Sequence, residues 1–197
     1  MNRKRNLSGF GLLAGAQFAL VVLAILLLWG LEISLPASTL DNFSAIGLGT
    51  VFACITFFMF WLVYRFGGSF ARALLADLNR ITALFRGLSW WQFAMLAALA
   101  GVGEELLFRG FLQVWLNQHC SITIAIISTS VIFGLLHYLS HAYFISVTLM
   151  SIVFGVGYYL SGSLLMVMVW HGVYDFIALL AIMKFPHWVG IASASKS

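Results

Sequence analysis

Glu104, Glu105 and Arg109 stand inside the stretch GEELLFRGFLQ, Gly103 to Gln113, in a region that is otherwise largely apolar. His137 closes the stretch FGLLH, and His171 and Asp175 bracket HGVYD, again within apolar sequence. An ionised side chain near the centre of a bilayer costs about 2.5 to 3.5 kcal/mol even on a lenient insertion scale, so a set of this kind needs a purpose. Carboxylates and imidazoles that share one buried, wet cavity can pass protons to and from a water molecule, which is general acid–base chemistry.

Spacing separates the roles. Glu105 and Arg109 are four residues apart in the favourable Glu-before-Arg order, so they can neutralise each other on one helix face. Glu104 is turned from Glu105 by about 100°, the rotation per residue of an α-helix. It lacks that local partner and is the carboxylate left free for chemistry. His171 and Asp175 are also four apart and project together, while His137 comes from a different apolar run. Counting along each run places Glu104 near the midplane, with His171 about 5 Å to its outer side and His137 about 5 Å to its inner side. Helix tilt and side-chain reach are needed to bring the three together.

The elements that must position these groups are membrane helices. The chain of 197 residues is 62% hydrophobic and 8% charged, and its mean hydropathy of +1.03 lies outside the range of a soluble domain. Runs of roughly 20 apolar residues, enough to cross a hydrocarbon core of about 30 Å, occur at Phe10 to Leu31, Phe43 to Tyr64, Trp90 to Leu116, Ile122 to Leu139, Ala142 to Leu160 and Leu164 to Met183. The expected fold is all-α: one polytopic transmembrane bundle, residues 1–197, of about six spanning helices. It divides into an N-terminal part, 10–89, and a core, 90–183, that carries the ionisable set. The runs do not alternate as barrel strands do. MNRKRNLSGF resembles the start of a secretory signal, but the run behind it is longer than such a signal needs, so it is read as a retained helix.

From Phe70 to Leu88 apolar residues recur at helical spacing, while Arg72, Asp77, Asn79, Arg80 and Arg86 fall mostly elsewhere on the wheel. This segment is expected to be an interfacial amphipathic helix. Arg3, Lys4, Arg5, Arg65, Arg72, Arg80, Arg86, Lys184 and Lys196 lie on one side of the membrane in this topology, and only Glu32 and Asp41 on the other. Both termini are therefore expected in the cytoplasm. The net charge of +4 follows from this bias and from attraction to anionic lipid, so the bilayer and not a nucleic acid is the expected partner. Cys54 and Cys120 are far apart in the topology and imply no disulfide. Trp90, Trp91, Trp115, Trp170 and Trp188 mostly suit interface belts and lipid-facing packing, and His119, His141 and His187 sit near helix ends without a role.

In order along the chain, Glu104-Glu105-Leu106-Leu107-Phe108-Arg109 resembles an EExxxR motif, Phe133 to His137 an FxxxH motif, and His171 to Asp175 an HxxxN-or-D motif. Together they resemble the CPBP (Abi, CAAX-protease-like) family of intramembrane endopeptidases, over roughly Trp90 to Met183. The resemblance implies a protease in which Glu104, with His137, activates a water for attack on a peptide carbonyl. Glu105, Arg109 and Phe133 would support the site, and His171 and Asp175 would stabilise the oxyanion. On an older view of the family Glu104, His137, His171 and Asp175 would hold a metal such as zinc; no HExxH is present, and the metal-free mechanism is the expectation. Many family members carry Asn at position 175, which can donate a hydrogen bond to an oxyanion where an ionised Asp cannot. Asp175 must then be protonated, orient His171, or bind the metal.

Simpler readings stand beside this one. Glu105 with Arg109 is a structural ion pair even in an active protease, and His171 with Asp175 could be a pair that joins helices. A Ser161 or Ser163 dyad with His171 would leave the glutamates unexplained, and aspartyl-protease motifs would come in the wrong order. A proton-coupled transporter or channel uses the same residue types, but no inverted repeat is visible; a non-catalytic immunity-type membrane protein is the third reading. The expected substrate is a membrane-anchored or membrane-associated polypeptide: a prenylated-like tail, a peptide precursor or a sorting helix. Short loops suit a bacterial inner membrane.

Overall fold

The computed structural model describes residues 3–189. It is helical throughout: α1 (Arg3–Gly30), α2 (Asn42–Phe66), α3 (Gly68–Phe85), α4 (Trp90–Glu105), a π-helical segment (Leu106–Gln113), α5 (Val114–Asn117), α6 (Ile122–Leu136), α7 (His141–Ser161), α8 (Leu164–Lys184) and a 3-10 turn (Pro186–Val189). Lys196 lies outside the described residues, as does the side chain of Trp188.

Among the described residues, four helices are long and apolar enough to cross a membrane on their own: Gly9–Gly30 within α1, then α2, α7 and α8. This is an integral membrane protein. The expected third span is helical from Trp90 to Asn117, but its register changes from α to π immediately after Glu105. The expected fourth span ends early. α6 has 15 residues, about 22 Å at 1.5 Å per residue, short of a full hydrocarbon core. It stops because His137 turns out of the helix (φ −101°, ψ 14°), its N–H bonding back to Phe133 O and Gly134 O. Three residues later Ser140 caps α7 by accepting from the N–H of Tyr143 at 3.2 Å. Sequence hydropathy ran through this corner because Tyr138 and Leu139 are themselves apolar.

Polar caps set most of the other boundaries. Asp41 opens α2 by accepting from the Ser44 N–H at 3.0 Å and from the Ser44 hydroxyl at 2.6 Å; the hydroxyl first, then the N–H, holds its carboxyl below the usual range. Ser89 opens α4, its N–H donating to Gln92 Oε1 at 2.8 Å.

α8 is the centre of the bundle, packed between α2 and α4. Ala45, Ala53, Phe154, Tyr158, Met166, Val167 and Trp170 form the main buried cluster. Trp170 thus departs from the interface role expected of it: it is 6% exposed and donates its indole N–H to Thr56 Oγ1 at 2.8 Å. α4 can approach α8 closely only because of Gly101, where a Cβ would lie 2.6 Å from Met168 O and 2.8 Å from Gly172 N. Both are backbone atoms and cannot swing aside. We expect Gly101→Leu to force these helices apart and to reduce the monodisperse fraction on detergent gel filtration severalfold; a normal elution profile would show that the contact yields.

α3 forms as expected, but its apolar stripe is turned onto the bundle. Leu74 is buried, and Leu78, Ile81 and Phe85 line an internal cavity. Asp77, placed by its position on the wheel among the polar residues, is 2% exposed. Its carboxylate accepts the Ser140 hydroxyl and pairs with Arg80 at 3.2 Å, so it ties α3 to the start of α7. Helical periodicity reports which residues share a face, and a single acid that meets a neighbouring helix looks the same as one that meets water.

Candidate active site

Glu104 and Glu105 are the last two residues of α4, and the π segment begins directly behind them. A π turn widens the helix by one residue and recurs at functional sites. Here it carries Arg109 and Gln113 onto α7. Glu105 and Arg109 are both fully buried and joined at 3.0 Å, as their spacing implied. Arg109 Nη2 also donates to Ser151 O at 2.8 Å and Ser151 Oγ at 2.7 Å, and its guanidinium lies over Phe133 and Phe154 at 5.1 and 5.4 Å from the ring centroids. One turn on, Gln113 donates to Gly155 O at 3.0 Å. The two residues grip α7 at positions four apart.

Glu105 has a second partner that its sequence neighbours did not reveal. Its Oε1 lies 2.7 Å from His171 Nδ1. The same carboxylate holds Arg109, so it acts as the acceptor and His171 Nδ1 carries a proton. His171 Nε2 then faces the cavity, 3.9 Å from Glu104 Oε2 and 3.5 Å from Asp175 Oδ2. Its ring stacks on Phe154 with centroids 5.3 Å apart.

His137 is fixed in a similar way. Nδ1 lies 2.8 Å from Phe133 O; a carbonyl can only accept, so this nitrogen bears the proton and Nε2 is free. That Nε2 is 3.7 Å from Glu104 Oε2. The ring stacks on Phe133 at 4.4 Å, and Phe133 also meets His171 edge-on at 6.4 Å. Phe133 therefore packs against both imidazoles, stacked on His137 and edge-on to His171.

The structure thus brings Glu104, His137, His171 and Asp175 together, and helix packing closes the depth offsets between them. Glu104 Oε2 looks toward two imidazole nitrogens at distances too long for direct hydrogen bonds and short enough for one water to bridge. All four side chains open on a cavity of about 310 Å³, within the usual size for a ligand pocket. Its walls are mostly apolar, from α1, α2, α3, α4, α7 and α8, with Tyr64, Tyr143 and Tyr174 adding phenols. Among the described residues, no three His, Cys, Asp or Glu side chains are grouped so as to hold a metal ion.

Four contributors were not singled out from the sequence: Gln17, Ser151, Gln113 and Tyr143. Gln17 of α1 donates its amide N–H to Glu104 Oε1 at 2.9 Å. A signal for it existed, since it is the one strongly polar side chain between Phe10 and Trp29.

A family model for type II CAAX prenyl endopeptidase Rce1-like proteins matches residues 86–177. The match supports the CAAX-protease-like (CPBP) family for this region. The match contains all three motifs, the π segment and helices α4 to α7 with most of α8, and leaves α1, α2 and α3 outside. It is a family of peptidases, which agrees with a carboxylate and two imidazoles gathered around one cavity. No curated protein and no solved structure matches the chain.

Proposed function

We propose that the protein is an intramembrane endopeptidase in which Glu104 is the general base. The observation that carries this reading is the placement of Glu104 Oε2 between His137 Nε2 and His171 Nε2, at 3.7 and 3.9 Å, on the wall of the cavity. A water held by Glu104 Oε2 and His137 Nε2 gives a proton to Glu104 as its oxygen attacks the carbonyl carbon of the scissile peptide. Negative charge then develops on the carbonyl oxygen. With Nδ1–H committed to Glu105, the doubly protonated His171 ring offers its Nε2–H to that oxyanion. Collapse breaks the C–N bond, and Glu104 returns the proton to the departing amine nitrogen. Asp175, beside His171 Nε2, orients the ring, which gives this position a role without the amide donor of an Asn.

The metal-free course needs only these side chains. The substrate in this reading is a membrane-anchored polypeptide, because Leu78, Phe85, Leu179 and Met183 give the cavity an apolar wall next to the acid–base groups. The arginines of α3 and of the link to α4 support cytoplasmic termini, and the short loops support a bacterial inner membrane. Protein reconstituted in liposomes and mixed with membranes from cells that lack it is expected to generate new polypeptide termini, and to continue doing so with a chelator present. Termini that vanish on chelation and return with Zn²⁺ would replace the carboxylate base with a metal-bound water.

A further inference from the structure

α1 lies outside the matched family region, and only 6% of its apolar window is buried within the bundle. Yet it reaches the reacting carboxylate. At Gly103 a Cβ would lie 2.9 Å from Gln17 O and 3.3 Å from Val21 Cγ2, so the missing side chain lets the α1 backbone settle against α4 one residue before Glu104. From there Gln17 Nε2 donates to Glu104 Oε1 at 2.9 Å. The amide orientation follows from chemistry, because turning it over would set an amide oxygen against a carboxylate oxygen. Gln17 Oε1 is buried with no hydrogen-bond partner. An amide in an otherwise apolar span is unfavourable, and one with half its polar capacity unmet is more so; the bond to Glu104 is what this side chain makes in return.

We infer that Gln17 is a positioning residue for Glu104: by holding Oε1 it leaves Oε2, the oxygen facing His137 and His171, as the one that takes the proton. This rests on Glu104 being the base. A carboxylate tethered at one oxygen cannot rotate about its terminal bond, so its lone pairs stay aimed at the water and the substrate carbonyl. α1 is then part of the active site and not only a span.

The test uses the full chain in liposomes and a peptide covering a cleavage site whose termini depend on Glu104. Gln17→Leu keeps the volume, removes the donor and makes the span more apolar, so it should insert normally. We expect its kcat to fall roughly tenfold or more, as loss of a hydrogen bond to a charged group implies, with KM within about twofold. Val21→Ala, which alters only α1–α4 packing, should keep wild-type kcat. An unchanged kcat in Gln17→Leu, or an equal fall in Val21→Ala, overturns the assignment. A second readout needs no turnover: the change in Tm caused by Gln17→Leu should differ between the wild-type and Glu104→Ala backgrounds, and equal changes would mean that the two side chains are not coupled. If the wild type yields no termini at all, the protease reading fails, while the Tm cycle still decides whether Gln17 holds Glu104.

Discussion

Glu104→Gln is expected to accumulate in the membrane like the wild type and to lose at least about 99% of its turnover. The substitution is nearly isosteric, and the new amide oxygen can still accept from Gln17, so the 2.9 Å contact has a replacement. What disappears is the ability to take a proton from water. General-base assistance contributes about 10² to 10⁴ in rate, so turnover should fall by at least about a hundredfold. Single-turnover assays on the peptide substrate, with folding checked by gel filtration and Tm, would measure this. A Glu104→Gln protein that cuts within about tenfold of wild type would assign the base elsewhere.

Arg109 gives the opposite outcome. Replacing it with Met removes the guanidinium that pairs with Glu105 and leaves a fully buried carboxylate facing His171. Breaking a buried ion pair by deleting one partner costs about 3 to 5 kcal/mol, a large part of the 5 to 15 kcal/mol that holds a typical domain together. Two further bonds to Ser151 go with it, which leaves Gln113 and Gly155 O as the remaining hydrogen bond from the π segment to α7 described above. We expect the folded yield of Arg109→Met to collapse. Arg109→Lys should recover only part of it, because an ammonium cannot reach Glu105 and Ser151 in the same planar fork. Matched expression, detergent extraction and gel filtration distinguish these outcomes. A folded Arg109→Met protein with normal Tm would mean that the pair adds nothing to stability.

The contrast between the two glutamates was visible in the sequence because spacing on one helix is simple geometry: Arg109 four residues on neutralises Glu105 and not Glu104. The fold class was legible for a similar reason, since apolar runs of this length have few alternatives to membrane helices. Contacts that join distant parts of the chain were not legible. Glu105 meets His171, Arg109 meets Ser151 and Gln17 meets Glu104, at separations of 66, 42 and 87 residues, and no local period encodes such pairs. The change to π register after Glu105 was hidden as well, because Leu106 to Gln113 reads as ordinary helix by propensity. The early end of α6 was missed because the residues after His137 are apolar although the chain is already turning. Residue type alone suggests an interfacial Trp170, whereas burial with a polar partner such as Thr56 suits an indole equally well. Motif order predicted the gathering of Glu104, His137, His171 and Asp175; helix packing, which the sequence does not display, supplies the distances at which they can share a water.

The most direct measurement compares cells carrying the wild-type chain with cells carrying Glu104→Ala at matched membrane levels, by mass spectrometry of new protein termini in the membrane fraction. We expect a discrete set of termini, on membrane-anchored polypeptides, that is present with the wild type and absent with the variant. Identical termini in both strains, with both proteins folded and abundant, would contradict a protease whose base is Glu104.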